Sequence, residues 1–130
     1  MKDITKELLE IAEHDLNAAK NNLKIGDYAV ACFYSQQAVE KYLKAFLVEK
    51  GVFNPKKHKT HNLKILLEDC IKIDNDLREL EKYPLGEISL YSIITRYNIS
   101  AIKNITEEDA KEAIEIAEKV REFILKKLNI

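Results

Sequence analysis

An all-α fold, an up-and-down antiparallel bundle of four to five helices, is what this chain predicts. Three observations lead there. The 130 residues contain only 3 Gly and 2 Pro. Apolar residues recur with the 3.6-residue period of a helix over long stretches, and no segment shows the strict alternation of a half-buried strand.

The breaks between helices follow from turn chemistry. The first helix runs from about Asp3 to Lys24 and ends at Ile25-Gly26, where glycine can take the left-handed conformation that closes a helix. Asp27 stands at the cap of a second helix, about Tyr28 to Lys50, which stops at Gly51. Val52–Thr60, with Pro55 and the basic run Lys56, Lys57, His58 and Lys59, reads as the main loop. A third helix follows over about Asn62 to Ile73, then a short helix or turn over Asp74–Glu81 that is broken at Pro84 and Gly86. Glu87–Tyr97 carries Ile88, Leu90, Tyr91, Ile93 and Ile94 and reads as a short buried helix. Thr106 and Asp109 make a capping-box start to the last helix, about Glu107 to Leu128, with a core face of Ala110, Ala113, Ile114, Ala117, Val120, Ile124 and Leu128.

Length and charge narrow the function classes. A chain of this size fits one domain spanning residues 1–130. The 21 Lys+Arg against 22 Asp+Glu give a formal charge of -1, which removes the overall positive field that gathers nucleic acid non-specifically but leaves room for a local patch. No apolar run reaches the roughly 18 residues that span a bilayer, and the acidic N-terminus lacks a signal-like apolar block, so the expected compartment is the cytoplasm with no membrane contact. Cys32 and Cys70 lie on apolar helical stretches and read as small core hydrophobes.

The second helix is apolar around most of its wheel, leaving one polar stripe of Gln37, Glu40, Lys41 and Lys44. Such a helix needs cover on several sides, which predicts a homodimer. Gln36 lies inside the apolar arc and is expected to find buried partners. Asp15 falls in the middle of the apolar face made by Ile4, Leu8, Ile11, Ala12, Ala19 and Leu23, where an ionised carboxylate is costly unless paired. Arg96, at the end of an apolar stretch and drawn inward by Ile93 and Ile94, is the expected partner, through the bidentate pairing that also suits phosphate.

Nucleophilic and metal chemistry are thinly represented. There are three histidines, His14 on an exposed face and His58 and His61 at a loop-to-helix junction, and no carboxylate or cysteine cluster completes a ligand set, so neither a metal nor another cofactor is expected. His61 reads as a loop-tethering residue bonded to a backbone carbonyl, and the Lys56–Lys59 run as a solvated loop or a phosphate contact.

Four ordered motifs give a family resemblance. His14-Asp15-Leu16 with Ala18-Ala19, the block Ser35-Gln36-Gln37-Ala38-Val39-Glu40-Lys41-Tyr42-Leu43-Lys44-Ala45, the turn Thr60-His61-Asn62-Leu63 with Leu66-Leu67, and Thr95-Arg96-Tyr97 before the Thr106–Ala110 helix start together resemble the HEPN domain over nearly the whole chain. The resemblance implies a mainly antiparallel bundle, a homodimer with a cleft near the subunit interface, and a bacterial or archaeal origin. It also implies pairing with a minimal nucleotidyltransferase in a toxin–antitoxin-like couple. Many members of the family resemble metal-independent RNases built on an Arg followed four to six residues later by His. Here Arg96 is followed by Tyr97, Asn98, Ile99, Ser100, Ala101, Ile102 and Lys103, with no histidine in that window. The Thr-Arg-Tyr branch usually continues Pro-Asp, and this chain has Asn98-Ile99 instead.

Three readings follow. The first is a non-catalytic or weakly catalytic HEPN protein that binds a nucleotide or nucleic acid, or a nucleotidyltransferase partner, through the dimer cleft, with Asp15, Gln37, Lys41, Lys44, His61 and Arg96 as ligand-binding candidates. The second is a metal-independent RNase in which Arg96 holds the scissile phosphate and Tyr97 or His61 replaces the missing histidine, since a group that moves protons near neutral pH is most often His. In the third the polar residues only fix the bundle and the protein is an interaction module.

Overall fold

The computed structural model describes residues 1–130. Three long helices, α1 (Asp3–Lys24), α2 (Tyr28–Glu49) and α8 (Glu107–Lys127), form the frame. Between α2 and α8 the chain makes a one-turn helix α3 (Pro55–His58), α4 (Leu63–Ile73), a 3-10 segment (Asn75–Lys82), and three short helices α5 (Leu85–Ser89), α6 (Tyr91–Tyr97) and α7 (Ile99–Asn104). Gly26 and Gly51 have φ of +82° and +75°, so each supplies the left-handed residue expected after α1 and α2. Asp27 occupies the N-cap position of α2 but makes no capping hydrogen bond, whereas Asn62 accepts from the backbone of Lys64 and Ile65. The Thr106–Asp109 capping box forms in full.

Helix α2 is the central element, packed against α1, α4, α6 and α8. Small residues make close approach feasible: Ala12 and Ala19 on α1, Ala31, Ala38 and Ala45 on α2, and Ala110, Ala113 and Ala117 on α8 are all fully buried. The two sets on α1 and α2 recur every seven residues, which keeps them on one face. Tyr42, Leu43, Phe46 and Leu47 fill the space around them with Leu63, Leu66 and Ile124. The three long helices also share one polar knot, in which the Tyr42 hydroxyl donates to Glu13 Oε1 at 2.6 Å and the Arg121 Nε donates to the same oxygen at 2.6 Å.

Four expectations are corrected here. The apolar arc of α2 is covered within one chain, because α1, α8, α4 and α6 surround it. Its polar stripe is therefore its main open side, and none of the exposed large apolar residues lies on α2. Glu87–Tyr97 is two helices rather than one: the hydrogen-bond ladder is interrupted at Leu90, whose own dihedrals stay helical, Ser92 is buried, and Leu90 and Ile93 are left 50% and 54% exposed. Residues 99–104, to which the sequence pattern assigns no element, form α7, whose side chains include none that is buried. Finally, His58 is not part of a solvated loop. It is buried, its Nδ1 accepts the Asn54 N–H at 2.8 Å, and its Nε2 meets Asp69 Oδ2 at 2.6 Å.

That last contact pins the segment after α2 onto α4 and sets an acid limit on the fold. Burial would raise the Asp69 carboxyl, but His58, Lys57 and Lys72 outweigh it and hold it at about 2. A carboxyl depressed in the folded state stabilises above its unfolded value and loses that contribution as pH falls through the folded one. Acid titration of wild type should therefore show a stability loss between about pH 4 and 2 that is much reduced in Asp69→Asn. The check is urea unfolding at stepped pH.

Candidate functional site

The open side of α2 carries Phe33, Gln37, Lys41, Lys44 and Val48, each partly exposed. At 100° per residue these five fall on one stripe. Helix α1 borders it on one side, where Tyr42 and Glu49 reach Glu13 and Thr5. His61 and α6 border it on the other, bonded to Glu40 and stacked on Phe33 respectively. The result is a row of polar groups on an otherwise apolar helix, flanked by two walls.

Glu40 anchors the row. It is only 2% exposed, and its Oε1 receives His61 Nδ1 at 2.7 Å and Gln36 Nε2 at 3.2 Å. Its Oε2 receives Lys44 Nζ at 2.9 Å, with Lys41 Nζ at 3.6 Å. Burial alone would raise this carboxyl. The His61 hydrogen bond and the two lysines more than offset burial and hold it below the ordinary carboxylate value. An ionised carboxylate only accepts, so His61 presents Nδ1–H to Glu40. The other nitrogen, Nε2, is left without a partner in the chain on a half-exposed ring.

Gln36, fully buried, finds the partners expected of it: it donates to Glu40 and to the His61 backbone carbonyl at 3.1 Å, and accepts from Gln37. Gln37 in turn accepts from Lys41 Nζ at 3.1 Å. His61 does tether its loop, but to the Glu40 carboxylate rather than to a backbone carbonyl. A cavity of ≈600 Å³ opens beside Lys41 and Lys44, lined also by Ile4, Leu8, Val48 and Phe53. A smaller one of ≈350 Å³ lies against His61, Ser92 and Ile93. A third, of ≈670 Å³, sits apart at Asp74, Asp76 and Lys127, where the acids and the lysine already pair with each other.

The expected Asp15–Arg96 pair does not form within the chain. Asp15 is half-buried on α1 beside Lys41, and neither a hydrogen bond nor an ion pair reaches it. Burial raises its carboxyl, with Lys41 acting against that and Glu40 with it. Arg96 is exposed and lies over the Phe33 ring, 5.4 Å from the centroid. The break at Leu90 turns Ile93 outward, and Arg96, three residues on, follows it. Tyr97 is 79% exposed.

Of the candidates, Gln37, Lys41, Lys44 and His61 are therefore brought together around Glu40. Asp15 and Arg96 stand on opposite borders of the row, and Tyr97 stands outside it. Glu40 itself is the functional residue that the sequence reading does not single out as a ligand-binding candidate. The signal is present in the spacing, since Gln36, Glu40 and Lys44 are four residues apart and share one side of the helix.

The protein is a helical bundle whose central helix shows a row of glutamine and lysine side chains bordered by His61 from the turn before α4. The chain belongs to the HEPN family, whose domain model matches residues 5–128. It is 30% identical to Putative toxin MJ1304 of Methanocaldococcus jannaschii, over 92% of this chain and 84% of that one. Its fold is similar to the crystal structure of TT1696 from Thermus thermophilus, with a TM-score of 0.78 and 32% identity over 97% of this chain and 99% of that one. ST0689, an archaeal HEPN homologue, shares the fold with a TM-score of 0.65 at 23% identity, over 98% of both chains. No helix is long and apolar enough to cross a membrane.

Proposed function

We propose that this protein is the HEPN member of a toxin–antitoxin-like couple, a homodimer that binds a nucleotide or RNA through phosphate and pairs with a minimal nucleotidyltransferase. Kinship with a relative named as a toxin supports the couple. The phosphate role is carried by one observation: Lys41, Lys44 and the free edge of His61 are gathered over Glu40, between walls that bear Ile4 and Leu8 on one side and Ile93 on the other. Glu40 fixes the lysine chains in place, and each lysine keeps donors to spare.

Binding of ATP and of a single-stranded RNA oligonucleotide, measured by calorimetry at stepped salt, tests this. Lys41→Ala should weaken binding across all RNA sequences alike and lower the salt slope by about 1. Absence of binding by either ligand at low salt would overturn the reading.

The contact between Glu40 and His61 favours a second reading, the metal-independent RNase. A carboxylate that fixes the tautomer of a histidine and leaves Nε2 facing solvent is a suitable arrangement for moving a proton near neutral pH. In this reading His61 stands in for the histidine absent after Arg96. Cleavage of RNA in excess chelator, lost by more than about 100-fold in His61→Ala, is the expected result. Intact RNA at large enzyme excess would eliminate it.

A further inference from the structure

Two opposite charges are left over on the borders of the α2 row, and each border also exposes apolar side chains. On the α1 side, Ile4, Ile11 and Asp15 lie on one stripe, with the two isoleucines 60% and 46% exposed. On the α6–α7 side, Ile93, Tyr97 and Ile99 are 54%, 79% and 72% exposed around Arg96. No side chain of α7 is fully buried, and no carboxylate within the chain reaches Arg96. An apolar surface of this kind calls for a partner, and its charges specify which. One border carries the acid and the other the base, so the surface is complementary to itself under a twofold rotation, in which residue i meets j and j meets i.

We propose that a second copy of this chain covers the row, with Asp15 of each protomer paired to the partner's Arg96 and the α1 stripe of one protomer laid on α6–α7 of the other. The ion pair predicted from the sequence is thus made between chains rather than within one. Two such pairs form, one on each side of the axis, and the two α2 rows face one another, so Gln37, Lys41 and His61 of both protomers line one shared chamber. This rests on the homodimer proposed above and names its surface. It also assigns Arg96 to the interface instead of to a scissile phosphate, which separates it from the RNase reading.

Charge exchange gives the test, read by sedimentation at several protein concentrations. Wild type should be a dimer. Asp15→Arg and Arg96→Asp should each weaken dimerisation by at least about 30-fold, since each places like charges in contact at two symmetric positions. The double exchange, Asp15→Arg with Arg96→Asp, should return it to within about tenfold of wild type. Neither side chain is fully buried in the single chain, so the monomers should keep wild-type circular dichroism.

Cysteine pairing gives an independent reading, because Cys32 and Cys70 are buried and out of reach. A mixture of Asp15→Cys and Arg96→Cys proteins treated with a short bis-maleimide should yield a covalent dimer that neither protein forms alone. The mixed dimer keeps one native Asp15–Arg96 pair and places the two new thiols together at the other. A wild-type monomer would overturn both the dimer and its surface. A wild-type dimer unaffected by the single exchanges, or one without the mixed crosslink, would overturn the surface and leave the dimer standing.

Discussion

Glu40→Ala should lower the unfolding free energy by about 3–5 kcal/mol, the loss expected when one partner of a buried ionic cluster is removed. Four groups lose a contact at once: His61 Nδ1, the amines of Lys44 and Lys41, and Gln36 Nε2, which keeps only the His61 carbonyl for one of its two hydrogens. The lysines can turn back to water. Gln36 cannot, because it is fully buried, and an unsatisfied buried donor bears its full desolvation cost. Glu40→Gln keeps the shape and one acceptor, so its loss should be smaller. Urea unfolding at one fixed protein concentration provides the comparison, because dimerisation would otherwise contribute to the midpoint. A Glu40→Ala loss below about 1 kcal/mol, within the range of ordinary surface changes, would show that the row does not depend on this carboxylate.

The second large effect is expected at Tyr42, and it separates packing from hydrogen bonding. The ring is fully buried in the middle of α2 and its hydroxyl shares Glu13 with Arg121. Burial and the neighbouring Glu13 both push the phenol above its ordinary value, so it remains a donor at any pH the protein tolerates. Tyr42→Ala should cost about 3–5 kcal/mol from the cavity it leaves. Tyr42→Phe removes one hydrogen bond to a charged acceptor and should cost about 1.5–3 kcal/mol. Because Arg121 still pairs with Glu13 after the second change, no charge is stranded. Equal losses in the two variants would mean that the hydroxyl, not the ring, holds α1 and α8 to α2.

Local signals placed most of the helices. The ends of α1 and α2 were legible because Gly26 and Gly51 are needed at positive φ, and the start of α8 because Thr106 and Asp109 satisfy each other's backbone. The core face of α8 followed from its spacing, but that of α1 did not: α1 buries Thr5, Leu9, Ala12, Leu16 and Ala19 and leaves Ile4 and Ile11, which the spacing places in the core, 60% and 46% exposed. The region 85–104 was less legible, because Ile93, Ile94 and Ile99 are apolar whether or not the chain covers them.

The sequence alone determined that this is a helical bundle with a central, nearly all-apolar helix and that Gln36 must be satisfied internally. It did so because periodicity, capping and desolvation costs are properties of short segments or single groups. Tertiary structure decided which groups meet. It set Glu40 beneath His61, Lys41 and Lys44, gave His58 to Asp69, and kept Asp15 apart from Arg96. Each of those outcomes depends on the angle at which two elements pack and on the break at Leu90, and a rotation of one position on a short helix carries a side chain from one wall to another.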